Sequence, residues 1–301
     1  LKWLLKVEIH FELSESSLNL LTKKMGYLNF RKEYSKSNLK LGYIFIFADE
    51  MNVSPRYFIE LSYNGSKYHG WQKQKNALSV QEELEKALST LFRQPINIMG
   101  SGRTDTGVHA LQQFAHFNVD LDFTKADFLK RMNGLLPDDI AVLNVTSVYD
   151  NAHARFDAEF RRYEYHITFR KDPFMIGKAW HCYYNLDLEP MTVAAKYLLG
   201  KQDFECFSRK KTDVKTFVCE INNASWEQTS NGLVFHIQAN RFLRGMVRAI
   251  VGTLIKIGRG QLESSSMSEI ISSKDRNLAG SAAPAHGLFL SKVKYPDRIF
   301  K

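Results

Sequence analysis

From Arg56 onward the chain acquires an order that its first fifty residues lack. Ile59, Leu61 and Tyr63 are apolar at every second position, with Glu60 and Ser62 between them, the period of a strand with one wet face. Asn64-Gly65 ends that run with a turn. Ser79 is followed three residues later by Glu82, the spacing of a reciprocal helix cap, and behind it Val80, Leu84, Leu88 and Leu91 fall on one helical face. The same reading predicts strands over 96–99, 114–119 and 140–145 and a helix over 126–133. A polar stretch at 150–153 then separates a second series. There Tyr163, Tyr165, Ile167 and Phe169 alternate with Arg162, Glu164, His166 and Thr168. A helix over 191–199, strands over 217–221 and 233–239, and a strongly apolar helix over 242–257 complete the pattern. Arg241, Arg244 and Arg248 recur at spacings of three and four, so they are expected on one face of that last helix. The chain thus divides into an N-terminal half over 51–152 and a C-terminal half over 153–301, both mixing strands and helices, without a sequence repeat between them. Residues 1–50 have apolar runs but no motif, begin with Leu1 and precede Met51. They are expected to be an extension outside the core, non-native or poorly ordered.

Between the expected strands at 96–99 and 114–119 lies Gly100-Ser101-Gly102-Arg103-Thr104-Asp105-Thr106-Gly107-Val108-His109-Ala110. It sets one carboxylate between an arginine and a glycine in a strand-end turn, where rigid scaffolds present reactive side chains. The three glycines permit backbone angles that other residues resist and let a ligand approach the main chain. A tight turn whose Asp and Thr bond their own backbone explains the same string. Phosphate-loop readings fail: from Gly102, Val108-His109 stands where Lys and Ser or Thr are required, and from Gly100 a dinucleotide fingerprint would have to end on Asp105.

Composition narrows the partners. With 41 Lys and Arg against 32 Asp and Glu, the net charge is +9, and aromatics make up 13% of the chain. Cations suit phosphates and flat rings stack on bases, so a polyanion such as a nucleic acid fits this surface. Arg209-Lys210-Lys211 reads as an exposed basic loop. The 3 cysteines, Cys182, Cys206 and Cys219, form no C-x-x-C pair; they argue for a reducing cytosol, against a disulfide framework and against a structural zinc site. His109 and His116 lack a trustworthy ligand-pair spacing and read as packed or surface residues. No run approaches the roughly 20 apolar residues of a membrane helix.

The loop and its surroundings resemble the tRNA pseudouridine synthase A family, whose signature is close to G-R-T-D-x-G-V-H-A. The likeness takes in Tyr63-Asn64-Gly65, Tyr68-His69-Gly70-Trp71-Gln72-Lys73-Gln74, Leu136-Pro137-Asp138-Asp139-Ile140, Ala154-Arg155-Phe156-Asp157-Ala158 and Arg162-Tyr163-Glu164-Tyr165. It continues through Leu199-Gly200, Asp203-Phe204, Met246-Val247-Arg248 and Ala285-His286-Gly287-Leu288 to Tyr295-Pro296. Thr106 occupies the variable position, and Asn64 stands where Asp is commoner.

The resemblance implies an α+β fold: two α/β halves with joined antiparallel sheets and a central active-site cleft. It implies isomerisation of uridine to pseudouridine at tRNA positions 38–40, in the anticodon stem-loop, by a cytoplasmic homodimer using no cofactor and no metal. Asp105 then matches the catalytic aspartate, as nucleophile on sugar or base or as proton acceptor. Arg248 matches the arginine paired with it, and an arginine within about 4–6 Å keeps a carboxylate ionised. Tyr163 matches the tyrosine packed on the flipped uracil, Arg103 the arginine filling the vacated space, and Leu288 a residue of the substrate pocket. Arg241 and Arg244 are expected on tRNA phosphates. A pseudouridine synthase for another RNA site would show the same motifs. An RNA-binding protein without catalysis would not need Asp105, Tyr163 and Arg248 together, and a metal-dependent nuclease would need acidic partners that the Asp105 segment lacks.

Overall fold

The structure is a computed structural model describing residues 54–120, 122–209 and 214–301. The extension expected over 1–50, and Lys210 and Lys211 of the basic loop, lie outside the described residues. Ser54–Lys301 forms one compact unit built around a 10-stranded sheet.

The first half follows the pattern closely. Strand β1 (Arg56–Tyr63) leads to helix α1 (Val80–Phe92), capped by the Ser79 side chain on the Glu82 N–H at 3.3 Å. Strand β2 is only Met99–Gly100. The Ile96 and Ile98 N–H groups bond the side chains of Ser89 and Glu85 on α1, so they are not free for a strand partner. β3 (His109–Asn118), α2 (Lys125–Leu135) and β4 (Ile140–Val148) follow, with β1 antiparallel to both β3 and β4.

The second half contains β5 (Phe160–Thr168), a two-residue β6 (Trp180–His181), α3 (Leu188–Lys196), β7 (Gly200–Asp203), β8 (Val218–Thr229) and β9 (Gly232–Ala239). It ends with α4 (Met246–Gly258), α5 (Ser266–Ser273) and β10 (Leu288–Lys294). α4 starts later than the apolar pattern implies. Gly245 takes φ +72, a left-handed conformation that cannot continue a right-handed helix, so Arg241 and Arg244 precede α4 and do not share a helical face with Arg248.

The strand order is β4-β1-β3-β10-β5-β9-β8-β7, with β2 on β3 and β6 on β5. β10 joins the halves: it runs antiparallel to β5 but parallel to β3, through Phe289↔His109 and Leu290↔Ala110. The pairings within each half are antiparallel apart from the short parallel pair of β5 and β6, and the junction of β10 with β3 is parallel. No tight turn links β3 to β10, so nothing forces opposite directions there. β10 gives Leu288 to a core with Tyr165, Phe235, Ile250 and Leu254, and Leu290 to a core with Leu61, Leu84, Phe117 and Phe128. Tyr163 packs against both. The candidate site lies at this seam.

Candidate active site

Residues 101–108 connect β2 to β3 and carry Asp105. Their entrance is held by Gln113, fully buried on β3, which accepts from the Ser101 hydroxyl and donates to Gly102 O at 3.0 Å. The Ser101 N–H adds a bond to Phe114 O at 2.7 Å. The middle is backed by the 68–72 segment: Trp71 N–H donates to Thr104 O at 3.3 Å, and the Tyr63 and Thr104 hydroxyls share a hydrogen bond of 2.8 Å. At the exit, Gly107 N–H donates to Tyr68 O at 3.2 Å. Of the three loop glycines, Gly107 (φ +77) needs its freedom for the turn, Gly100 needs its missing side chain because a Cβ would sit 2.5 Å from the Trp71 ring, and Gly102 needs neither. Every segment of the loop is tied down, which leaves the Asp105 side chain as its partly exposed output.

That carboxylate faces two guanidinium groups. Arg248 Nη1 lies 3.3 Å from Oδ2, and Arg244 Nε lies 3.9 Å from Oδ1. Arg248 is aimed by a second bond, Nε to Ala283 O at 2.7 Å, and its own carbonyl accepts from the Ala283 N–H at 2.9 Å. Arg244 is the more exposed of the two, 61% against 22%, so one arginine is built into the wall and the other faces the opening. The left-handed turn at Gly245 is what lets two arginines on either side of a helix start reach one aspartate.

Tyr163, on β5, stacks edge-on against Phe242 with ring centroids 5.1 Å apart. Burial, reinforced by the negative charge of Asp105 and opposed by Arg161, pushes its hydroxyl up to about 12. It is a neutral ring with a hydrogen-bond donor at ordinary pH. Arg103 is exposed, its Nε bonded to Gln72 Oε1 at 3.1 Å. Arg241 is half-buried, five residues short of α4. Leu288 opens β10 opposite Tyr165 and is only 5% exposed, so the structure places it in the core rather than on an open wall.

Arg161 has a role that sequence reasoning missed. The pair Arg161-Arg162 hints at a site mouth, since core strands seldom start with two cations. The structure instead turns Arg161 inward. Its Nη1 donates to Ala158 O at 3.0 Å and Asn240 O at 2.9 Å, and its Nη2 to Ser101 O at 3.0 Å and Arg155 O. One guanidinium thereby joins the Asp105 loop, the 155–158 turn and the approach to Arg241 and Arg244. Arg162 donates to Gln238 Oε1 from Nε at 3.0 Å and from Nη2 at 2.8 Å.

The histidines of this region are packed. His109 accepts the Gly65 N–H on Nδ1 at 3.0 Å, so Nε2 carries the proton and donates to His286 O at 3.1 Å. His116 accepts the Ala154 N–H on Nδ1 at 3.1 Å, and burial lowers it to about 4. Cys182, Cys206 and Cys219 are free and buried, and burial pushes Cys206 up to about 12 and Cys219 to about 11. A thiol held that high is a poor nucleophile at neutral pH. Among the described residues no three His, Cys, Asp or Glu side chains are grouped to hold a metal ion, and no helix is long and apolar enough to cross a membrane.

A mixed sheet of two joined halves, with one aspartate loop facing arginines at the seam, defines an α+β protein of the pseudouridine synthase class. The profile of the family described as tRNA pseudouridine synthase matches residues 61–157 and 194–296, and this chain belongs to that family. Its relatives include the tRNA pseudouridine synthase A of Porphyromonas gingivalis, 49% identical over 250 residues, covering 81% of this chain and 99% of that one. The protein of the same name from Bacteroides thetaiotaomicron is 48% identical over 248 residues, covering 81% and 92%. That of a Thermoanaerobacter species is 41% identical over 239 residues, covering 79% and 98%. Asp105, Tyr163 and Arg103 fall in the first matched segment or between the two, and Arg248 and Leu288 in the second.

Proposed function

We propose that this chain isomerises uridine to pseudouridine in tRNA, at positions 38–40 of the anticodon stem-loop. The observation that carries the reading is the Asp105 carboxylate, held on a loop tied at both ends and faced by Arg248 and Arg244. The reaction breaks the bond from C1′ to N1, forms one from C1′ to C5, releases the proton of C5 and protonates N1. Nothing enters or leaves but protons, so the site needs a reactive carboxylate and a means of unstacking the nucleotide, not a cofactor.

In this reading Asp105 is the nucleophile and Arg248 holds its carboxylate in one orientation. The Tyr163 ring packs on the uracil, with a hydroxyl that stays protonated and can donate a hydrogen bond. Arg103, exposed at the rim, fills the space that the extruded base leaves. Arg241 and Arg244 meet backbone phosphates, and Arg244 also turns toward Asp105 when no phosphate competes for it. Leu288 supports the pocket from behind as part of the core that holds Tyr165, Phe235 and Ile250. The enzyme works in the cytosol as a homodimer, which lets one subunit hold the tRNA body while the other presents its site.

Mapping pseudouridine in tRNA from cells lacking the gene tests this directly. The modification should vanish at positions 38–40 and return when the gene, but not its Asp105→Asn variant, is restored. Full modification at those positions in the deletion strain would refute the assignment, and loss at a different site would move it to another RNA position.

A further inference from the structure

The turn at residues 153–157 is clamped beside the catalytic loop, because Arg161 Nη2 serves both Arg155 O and Ser101 O. It is also internally rigid. The His153 N–H donates to Asp157 Oδ2 at 2.6 Å, Asp157 N–H returns to His153 O at 3.0 Å, and His153 Nδ1 accepts the Arg155 N–H at 3.1 Å. Ala154 is buried, with its N–H on His116 and its carbonyl taken by the Tyr295 hydroxyl. From this fixed base Phe156 projects into solvent, 73% exposed. Its ring lies 4.3 Å from that of His153, and the Arg155 guanidinium stands 5.6 Å from its centroid.

A rigid turn that holds a phenylalanine out in water gains nothing for the core. We propose that Phe156 and Arg155 form a platform on which an unpaired base beside the reacting uridine stacks; this rests on the RNA-modifying role proposed above. Extruding a nucleotide strips its neighbours of a stacking partner. An exposed ring next to the catalytic loop replaces that partner, and an aromatic face accepts any base. Charge decides in favour of RNA over an apolar protein face. Arg155, Arg103 and Arg244 are all exposed on segments tied to the Asp105 loop, in a chain of net charge +9.

The test uses the full chain and an anticodon stem-loop with one target uridine and 2-aminopurine at the nucleotide beside it. Binding is read by 2-aminopurine fluorescence, and pseudouridine is counted after a single turnover. Phe156→Ala, an exposed change that should leave the melting temperature unaltered, should weaken binding about 10-fold and leave the 2-aminopurine brighter in the complex than it is with the parent, because the unstacked base is no longer quenched by the ring. Phe156→Trp should bind as the parent does, with its added indole emission quenched by RNA. If Phe156→Ala binds within about two-fold of the parent and keeps the full fluorescence change while the parent converts the hairpin, the platform falls and the catalytic reading stands. If the parent forms no pseudouridine in the hairpin or in whole tRNA, both fall.

Discussion

At the scale of single residues, the account turns on how neighbours fix the state of each group. Arg248 makes two directional bonds, to Asp105 and to Ala283 O, that a planar guanidinium can satisfy together and an ammonium cannot. Arg248→Lys should therefore lower the rate of pseudouridine formation at least about 10-fold in single-turnover assays, while tRNA affinity changes little. His116 supplies a pH-dependence unrelated to catalysis. The unfolded chain takes up a proton on this residue near 6.5, the folded chain only near about 4. Between those values protons favour the unfolded state, so the contribution is complete above 6.5 and is lost as pH falls toward about 4. Urea midpoints measured across that window should drop with acidity, and His116→Asn, which can still accept the Ala154 N–H, should flatten the drop. Asp105, Tyr163 and Arg248 were legible in the sequence through the family motif alone. Their residue types would equally suit a turn, a strand core and a basic face, and only the fold brings them together.

At the scale of elements, period-two and helical patterns located β1, α1, α2, β4, β5 and β9 well, because each buries one face. β10 escaped for a physical reason: its register shifts between Leu290 and Lys292, which breaks the alternation that would announce it. β8 was cut short because its second part, around Asn222, Asn223 and Glu227, is polar and exposed. The apolar pattern also ran through Gly245 and so placed three arginines on a helix that holds only one of them. Arg161 is the element-level keystone, and its four carbonyl partners give a separate prediction. Arg161→Met would remove all four of these bonds, two of them part-buried, at a cost of about 2 kcal/mol. Chemical denaturation should show that loss, and turnover should fall more than tRNA binding because the Asp105 loop loses its tie to β5. Unchanged stability would mean that water replaces the guanidinium without penalty.

At the scale of the whole molecule, the positive charge visible in composition becomes a surface question. Log affinity for tRNA should fall with log salt at about 0.7–0.9 per neutralised phosphate, and Arg241→Ala should reduce that slope by about one phosphate's worth. An unaltered slope would take Arg241 out of the footprint. Asp105 lies partly exposed at the seam between two cores, and the central claim of the proposed function is that this carboxylate performs the chemistry on an extruded nucleotide. The most direct test is tritium release from an anticodon stem-loop carrying uridine labelled at C5, since forming the new bond at that carbon expels its hydrogen. The parent chain should release one tritium per pseudouridine formed. Asp105→Asn should bind the same RNA within a few-fold and release none above background. Substantial release by that variant would contradict the account, and so would loss of RNA binding in parallel with activity, which would make Asp105 a structural residue of its turn.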